Sequence, residues 1–382
     1  MTSRTTRAAV ALLCVTAVAV LPAVPAYADQ ARDNQWHLPF LKVAEAHRIS
    51  QGAGVTVAVI DTGVDPHPDL RNNLLTGTVT YAGGSGNGKQ DGDPNGHGTG
   101  MAGLIAAHGR GANGALGIAP QAKIVPIQDE RGDGGSADDL AKGVEWATSK
   151  RVDVISISSN AGGTPRLRAA VEAAIKANII VVAGVGNRPK SLLVGFPAGF
   201  PGVLAVGATD RKGDHADVSV TGNRVVIAAP GVDIYSTSVD GRYRKGTGTS
   251  DSTAIVAGAA ALVRSKFPDL SAEEVVHRLT ATADDKGAPG RDEEYGYGVV
   301  NLVAALTADV PPLEGAASPS ATANPTPSQA DGNAAPNPEN RSNTASTVLI
   351  VVLVAFVVLG LLVTLLVVLL LRRRQQQRPG PY

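Results

Sequence analysis

With 382 residues, 43% of them apolar and 4% aromatic, and a formal charge of zero, the chain has material for one large core or two small ones beside a substantial non-globular remainder. Forty-four glycines and twenty-four prolines indicate many tight turns and a linker, while the single cysteine, Cys14, excludes a disulfide framework and a cysteine-based metal site. No basic stripe marks a nucleic-acid binder, so no nucleic-acid partner is expected.

Residues 1–28 read as a signal peptide. Arg4 and Arg7 begin it, an apolar stretch from Ala8 to Val20 follows, and Ala26-Tyr27-Ala28 offers a small-residue cleavage site. The apolar run is short for a membrane-spanning helix, and Pro22 and Pro25 interrupt its end. Cys14 follows Leu13 where a lipidated cysteine wants a small residue, so it is expected to leave with the leader. The mature chain then relies on core burial alone. Few residues separate Ala28 from Trp36-His37-Leu38-Pro39-Phe40, which leaves no room for a folded propeptide.

Residues 29–309 read as one folded α/β domain. Val43–Ser50 suggests a short helix closed by Gly52 and Gly54. Val55–Ile60 is a continuous β-branched run of the kind found in a buried parallel strand, and it ends in Asp61-Thr62-Gly63. A carboxylate at the C-terminal end of such a strand sits where open α/β sheets keep their sites. Thr80–Gly96 is a polar, glycine-rich loop that delivers His97 to the start of a small-residue helix.

From Ala122 the pattern alternates strand and helix. Strands are predicted over Ala122–Gln128, Val152–Ile157, Ile179–Ala183, Val203–Val206 and Val225–Ala228. Between them, Ser136 caps a helix carrying Leu140, Val144 and Ala147, and Leu167, Ala170, Val171, Ala174 and Ile175 form a second helical stripe. Such alternation implies right-handed crossovers and a mostly parallel sheet covered by helices on both faces. Gly246–Gly258 then turns into a helix with Ser250 in its first turn, and Ser271 with Glu274 predicts a capped final helix.

Composition changes abruptly at Val310. Residues 310–346 are rich in Pro, Ala, Ser, Asn and Thr, cannot bury enough surface to fold, and read as a disordered tether with a mean reach of about 30–35 Å. Residues 347–371 carry no charge and would make a transmembrane helix of roughly 37 Å, enough to cross a core of about 30 Å with tilt. Arg372, Arg373, Arg374 and Arg378 follow, so the positive-inside rule makes 372–382 a cytoplasmic tail and puts the folded domain outside the plasma membrane. Without the arginines of leader and tail, 28 basic residues face 34 acidic ones, a formal −6.

Three residue types suited to nucleophilic catalysis stand in the order Asp61, His97, Ser250. A serine needs a neutral imidazole to take its proton, and the imidazole needs a carboxylate to fix its tautomer. A helix N-terminus also favours the negative charge that develops at a nucleophile. Asn187, in Gly186-Asn187 beyond a predicted strand, can donate its side-chain amide to an oxyanion, with the Ser250 backbone N–H as a second donor. Asp65, His67 and Asp69 lie in Asp-Pro-His-Pro-Asp, which reads as a rigid turn rather than a metal site, so neither metal nor cofactor is expected.

These motifs resemble the subtilases, the subtilisin-like serine proteases, over roughly Trp36 to Leu306. The resemblance rests on Val59-Ile60-Asp61-Thr62-Gly63, Gly96-His97-Gly98-Thr99, Gly186-Asn187 and Gly248-Thr249-Ser250, supported by Ala228–Gly231 and Tyr295–Asn301. It implies a subtilisin-like three-layer α/β fold, hydrolysis of protein or peptide substrates, and the order Asp61, His97, Ser250, which is a family property rather than something spacing reveals. The layout of leader, protease domain, tether and membrane helix looks like that of the mycosins, membrane-anchored subtilases associated with type VII secretion in actinobacteria. That likeness implies secretion-system membrane components as partners.

The chain departs from the family pattern at several points. Asp251 sits beside the candidate nucleophile, in a helix first turn where it is favourable and turned away from Ser250. Ser252 replaces a usual alanine and Ala254 a usual proline. Ser158-Ser159-Asn160 stands where many subtilases line the substrate cleft with Ser-Leu-Gly, which makes these three the candidate substrate-binding residues. Cysteines that mycosins commonly pair are absent. Two functions follow: an endopeptidase for exported proteins, or a structural stabiliser of a membrane assembly independent of proteolysis. A general degradative protease at the cell surface is the lesser alternative, because degradative enzymes are usually released.

Overall fold

Continuous β-branched runs become the strands of one parallel sheet. The computed structural model describes residues 31–313 except 112 and 133. In chain order its strands are β1 (Thr56–Asp61), β2 (Thr78–Val79), β3 (His108–Arg110), β4 (Asn113–Leu116), β5 (Lys123–Gln128), β6 (Val154–Ile157), β7 (Ile180–Gly184), β8 (Leu204–Thr209), β9 (Ile227–Pro230), β10 (Ile234–Thr237) and β11 (Tyr243–Gly246). Seven form the main sheet in the order β2-β5-β1-β6-β7-β8-β9, all pairs parallel. Two antiparallel ribbons, β3–β4 and β10–β11, lie apart from it.

Because side chains alternate across a strand, each strand feeds both faces. Val57, Val59, Ile180, Val182, Leu204 and Val206 join the core under helices His97–Ala106 and Thr249–Lys266. Ala58, Ile60, Val181, Ala183 and Ala205 join the opposite core, under helices Ala137–Ser149 and Pro165–Lys176. The three-layer α/β architecture read from the alternation is therefore present, and full burial of each large aliphatic side chain contributes about 1.5–3 kcal/mol.

Helix Thr249–Lys266 is buried through Arg264, so it has no polar face to signal amphipathicity. Small residues let it sit close to its neighbours. A Cβ at Gly258 would meet Ile118 Cβ at 2.6 Å. Caps define the outer helices. Ser136 accepts from Asp139 N, Thr164 accepts from Leu167 N ahead of Pro165, and Ser271 and Glu274 form a reciprocal capping box. Each such cap is worth about 1 kcal/mol.

Some predicted bounds move. The helix expected over Val43–Ser50 spans only Val43–Ala46, after which Ser50 Oγ donates to the Leu262 carbonyl. The strand expected over Val225–Ala228 is β9, which starts at Ile227 with Val225 buried ahead of it. Ala272–Ala281 is not the final helix, since Asn301 caps another over Leu302–Thr307. The expected signal peptide, membrane helix and cytoplasmic tail, and nearly all of the tether, lie outside the described residues. Among the described residues no helix is long and apolar enough to cross a membrane.

Candidate active site

Asp61 ends the buried strand β1 at its C-terminal edge, and its carbonyl accepts from Asp129 N. The helix carrying His97 starts beside it, and side chains satisfy its free amides. His97 N donates to Asp93 Oδ2 at 3.0 Å, Gly98 N to Thr62 Oγ1 at 3.0 Å and Thr99 N to Asp91 Oδ2 at 2.8 Å. Thr62 Oγ1 in turn donates to Asp91 Oδ1 at 2.6 Å. Gly98 must be glycine, because a Cβ there would run into the Gly63 carbonyl. This network locks helix start and strand end together.

Within that frame His97 Nδ1 lies 2.7 Å from Asp61 Oδ1, which also accepts from Thr62 N at 2.8 Å. Burial opposes the imidazolium, but the Asp61 charge and hydrogen bond outweigh it, and the His97 pKa is pushed up to about 9. Arg244 pulls the other way and Asp251 adds to the rise. Burial likewise opposes ionisation of Asp61, yet His97 and the Thr62 hydrogen bonds hold its carboxyl below the usual range. The carboxylate thus fixes the ring with Nε2 facing away from Asp61.

Ser250 lies in the first turn of its helix and is 8% exposed. Its hydroxyl donates to the Ser158 carbonyl at 3.1 Å, and Ser158 Oγ donates back to the Ser250 carbonyl at 3.3 Å. Among the described residues the hydroxyl is thus bonded to Ser158 rather than to His97. Asn187 Oδ1 accepts from Thr249 N at 2.8 Å and from Thr249 Oγ1 at 3.2 Å. With that oxygen engaged, Nδ2 is the donor end left in the cleft.

One open cleft of about 480 Å³ takes in His97, Asn187, Ser158, Ser159 and Asn160, with Glu130, Lys190 and Ser191 on its walls. Sequence-predicted residues from five separate segments meet at the C-terminal edge of the sheet, Asp61 through its bond to His97 and Ser250 through its bonds to Ser158. Asp91 and Asp93, which hold the start of this helix, lie in the stretch 80–96 whose composition predicts only a loop. Two acidic residues shortly before a glycine-histidine helix start were the available signal.

The departures at the nucleophile helix have local partners. Asp251 is buried and turned toward β11, its Oδ1 3.5 Å from Arg244 Nη1. Burial pushes its pKa up while Arg244 and His97 oppose that rise. Ser252 Oγ donates to the Ala229 carbonyl at 2.9 Å, so the added hydroxyl is satisfied, and Ala254 is fully buried. Asp69 is spent on internal bonds, accepting from Arg110 Nε at 2.8 Å, Tyr243 OH at 2.7 Å and Ala115 N at 2.8 Å.

A doubly covered parallel sheet with the Asp61–His97 pair at its C-terminal edge fits a serine-type endopeptidase, the class that the family match and the curated relatives show. The chain belongs to the subtilase family, whose match spans residues 52–298. It is 37% identical over 274 residues to the thermostable alkaline protease of Halalkalibacterium halodurans, covering 70% of this chain and 72% of that protein. With subtilisin DY of Bacillus licheniformis it shares 38% identity over 261 residues, 67% of this chain and 92% of the relative. Among solved structures it resembles MycP1 from the ESX-1 type VII secretion system, with TM-score 0.67 and 30% identity over 75% of this chain and 89% of that one. MycP1 with its N-terminal propeptide removed gives TM-score 0.65 and 32% identity over 72% and 98%.

Proposed function

We propose that the protein is a membrane-anchored serine endopeptidase in which Ser250 attacks the peptide carbonyl, His97 accepts its proton and returns it to the leaving amine, and Asp61 orients the ring. The observation that carries this reading is the 2.7 Å contact of Asp61 with His97, which lines one cleft with Asn187 and with Ser158, the residue whose carbonyl accepts from Ser250 Oγ. Asn187 Nδ2 and Ser250 N receive the oxyanion. Substrate draws the Ser250 hydroxyl from the Ser158 carbonyl to His97 Nε2, since such bonds often form only in the loaded site. Water then repeats the sequence on the acyl enzyme. Ser158, Ser159 and Asn160 bind the substrate segment on the acyl side.

The domain plan completes the reading: leader 1–28, protease domain 29–309, tether 310–346, membrane helix 347–371 and cytoplasmic tail 372–382. It keeps the protease outside the plasma membrane, on a tether whose mean reach is about 30–35 Å. The likeness to MycP1 from the ESX-1 type VII secretion system supports a place beside such an apparatus.

Fractionating cells that carry the intact chain, Ser250→Ala, or a chain ending at residue 346 tests both parts. Peptide hydrolysis should stay with the membrane fraction for the intact chain, vanish for Ser250→Ala, and move to the medium for the shortened chain. Export that survives Ser250→Ala but fails when the chain is deleted would instead favour a stabilising role. Hydrolysis released to the medium by the intact chain would favour a degradative enzyme.

A further inference from the structure

Beside Ser250 the cleft runs between two stretches of backbone. Ser158 touches the nucleophile through its carbonyl and leads through Ser159 to Asn160. Facing it, Gly186, which approaches the Asn160 amide, and Asn187 lead to Lys190 and Ser191. A peptide whose carbonyl carbon meets Ser250 Oγ and whose oxygen meets Asn187 Nδ2 has its acyl-side Cα one bond away. The side chain on that Cα must therefore enter the slot between the two stretches.

The Asn160 side chain stands in that slot. A Cβ built on Gly186 would lie 2.8 Å from Asn160 Nδ2 and 3.1 Å from Ser191 Cβ. One built on Gly195 would lie 2.7 Å from Asn160 Cγ and 2.9 Å from both its amide heavy atoms. The amide thus reaches from its own stretch onto two glycines of the facing wall, so that a methyl group on either would have to displace it. What remains is short and polar, walled by Asn160, Ser191 and Lys190. A large apolar side chain would collide there and would strip water from the amide without offering it a partner.

We infer that Asn160 is a specificity-determining residue that shortens the acyl-side slot, so that the protein cleaves after glycine, alanine or serine and rejects leucine, phenylalanine and lysine. This rests on the roles proposed for Ser250 and Asn187. It also gives the departure from a glycine at this point a physical consequence, since glycine would leave the slot open down to Gly195.

The test uses the detergent-solubilised full-length chain and peptides that differ only at the residue before the scissile bond. For the unaltered protein, kcat/KM after alanine should exceed that after phenylalanine by about 100-fold, the scale a misfitting side chain imposes on a pocket. Asn160→Gly should raise the phenylalanine-to-alanine ratio by about 30-fold, and Asn160→Ala by less. Because the ratio is taken within one preparation, the fraction of folded enzyme cancels. Equal cleavage after alanine and phenylalanine by the unaltered protein, or an unchanged ratio in Asn160→Gly, overturns the inference and leaves the catalytic reading standing. Absence of any cleavage that Ser250→Ala abolishes overturns both.

Discussion

Asp61 and His97 are fixed by a buried strand end and by a helix whose first amides are each taken by a side chain, whereas Ser159 and Asn160 follow β6 into partly open space. The two walls of one cleft are thus built to different standards. Proton transfer tolerates little displacement, so its wall is buried and cross-linked by hydrogen bonds. Side-chain selection needs only a shape, and one exposed amide can change it. The difference implies that substitutions on the first wall alter rate for every peptide, while those on the second alter the order in which peptides are preferred.

The largest effect that could break this contrast is loss of the reacting groups. Ser250→Ala and His97→Ala should each lower kcat by about 10⁶-fold and Asp61→Ala by about 10⁴-fold, magnitudes taken from the related subtilisin rather than derived from this geometry. All peptides should suffer alike, with no change in their relative rates. Asn187→Ala should cost about 10²–10³-fold in kcat with KM little altered, again by analogy with subtilisin. A KM effect larger than the kcat effect would move Asn187 from the oxyanion to ground-state binding.

The next effect concerns pH. His97 must be neutral to accept a proton, and its pKa is pushed up to about 9. Activity on every peptide should therefore rise about tenfold per pH unit below that value and level off above it. Stability runs the other way. A histidine with a raised folded-state pKa contributes stability that is fully present below its unfolded value of about 6.5 and is lost as pH rises through about 9. Melting temperatures measured from pH 6 to 10 should fall in step with the rising rate, and His97→Ala should flatten that part of the slope.

Smallest is the effect of Asp91→Asn. Burial pushes the Asp91 pKa up against the hydrogen bonds from Thr62 and Thr99 that favour its charge. The amide keeps the size of the group but weakens the grip on Thr99 N and Thr62, for an expected loss of about 1 kcal/mol in stability and a several-fold lower kcat. The alanine-to-phenylalanine ratio should not move. A change in that ratio would show that the walls are coupled.

Legibility in the sequence followed the same division. Asp61, His97, Asn187 and Ser250 each sit beside glycines that the backbone requires, as Gly98 against Gly63 illustrates, so their motifs are written locally. The parallel strands were equally plain, because burial on both faces demands unbroken β-branched runs. Ribbon β10–β11 has no such signature, because Tyr243-Arg244-Lys245-Gly246 lacks apolar alternation. The Arg244–Asp251 pair and the placement of Asn160 against Gly195 depend on approaches between segments that no local pattern records.

The central claim is that His97 and Asp61 activate Ser250. A fluorophosphonate probe applied to the full-length chain, followed by mass spectrometry of its peptides, tests it most directly. One adduct is expected, on Ser250, forming faster as pH rises toward 9 and at least about a hundredfold more slowly in His97→Ala. An adduct on another serine, or labelling of Ser250 indifferent to His97, would contradict it.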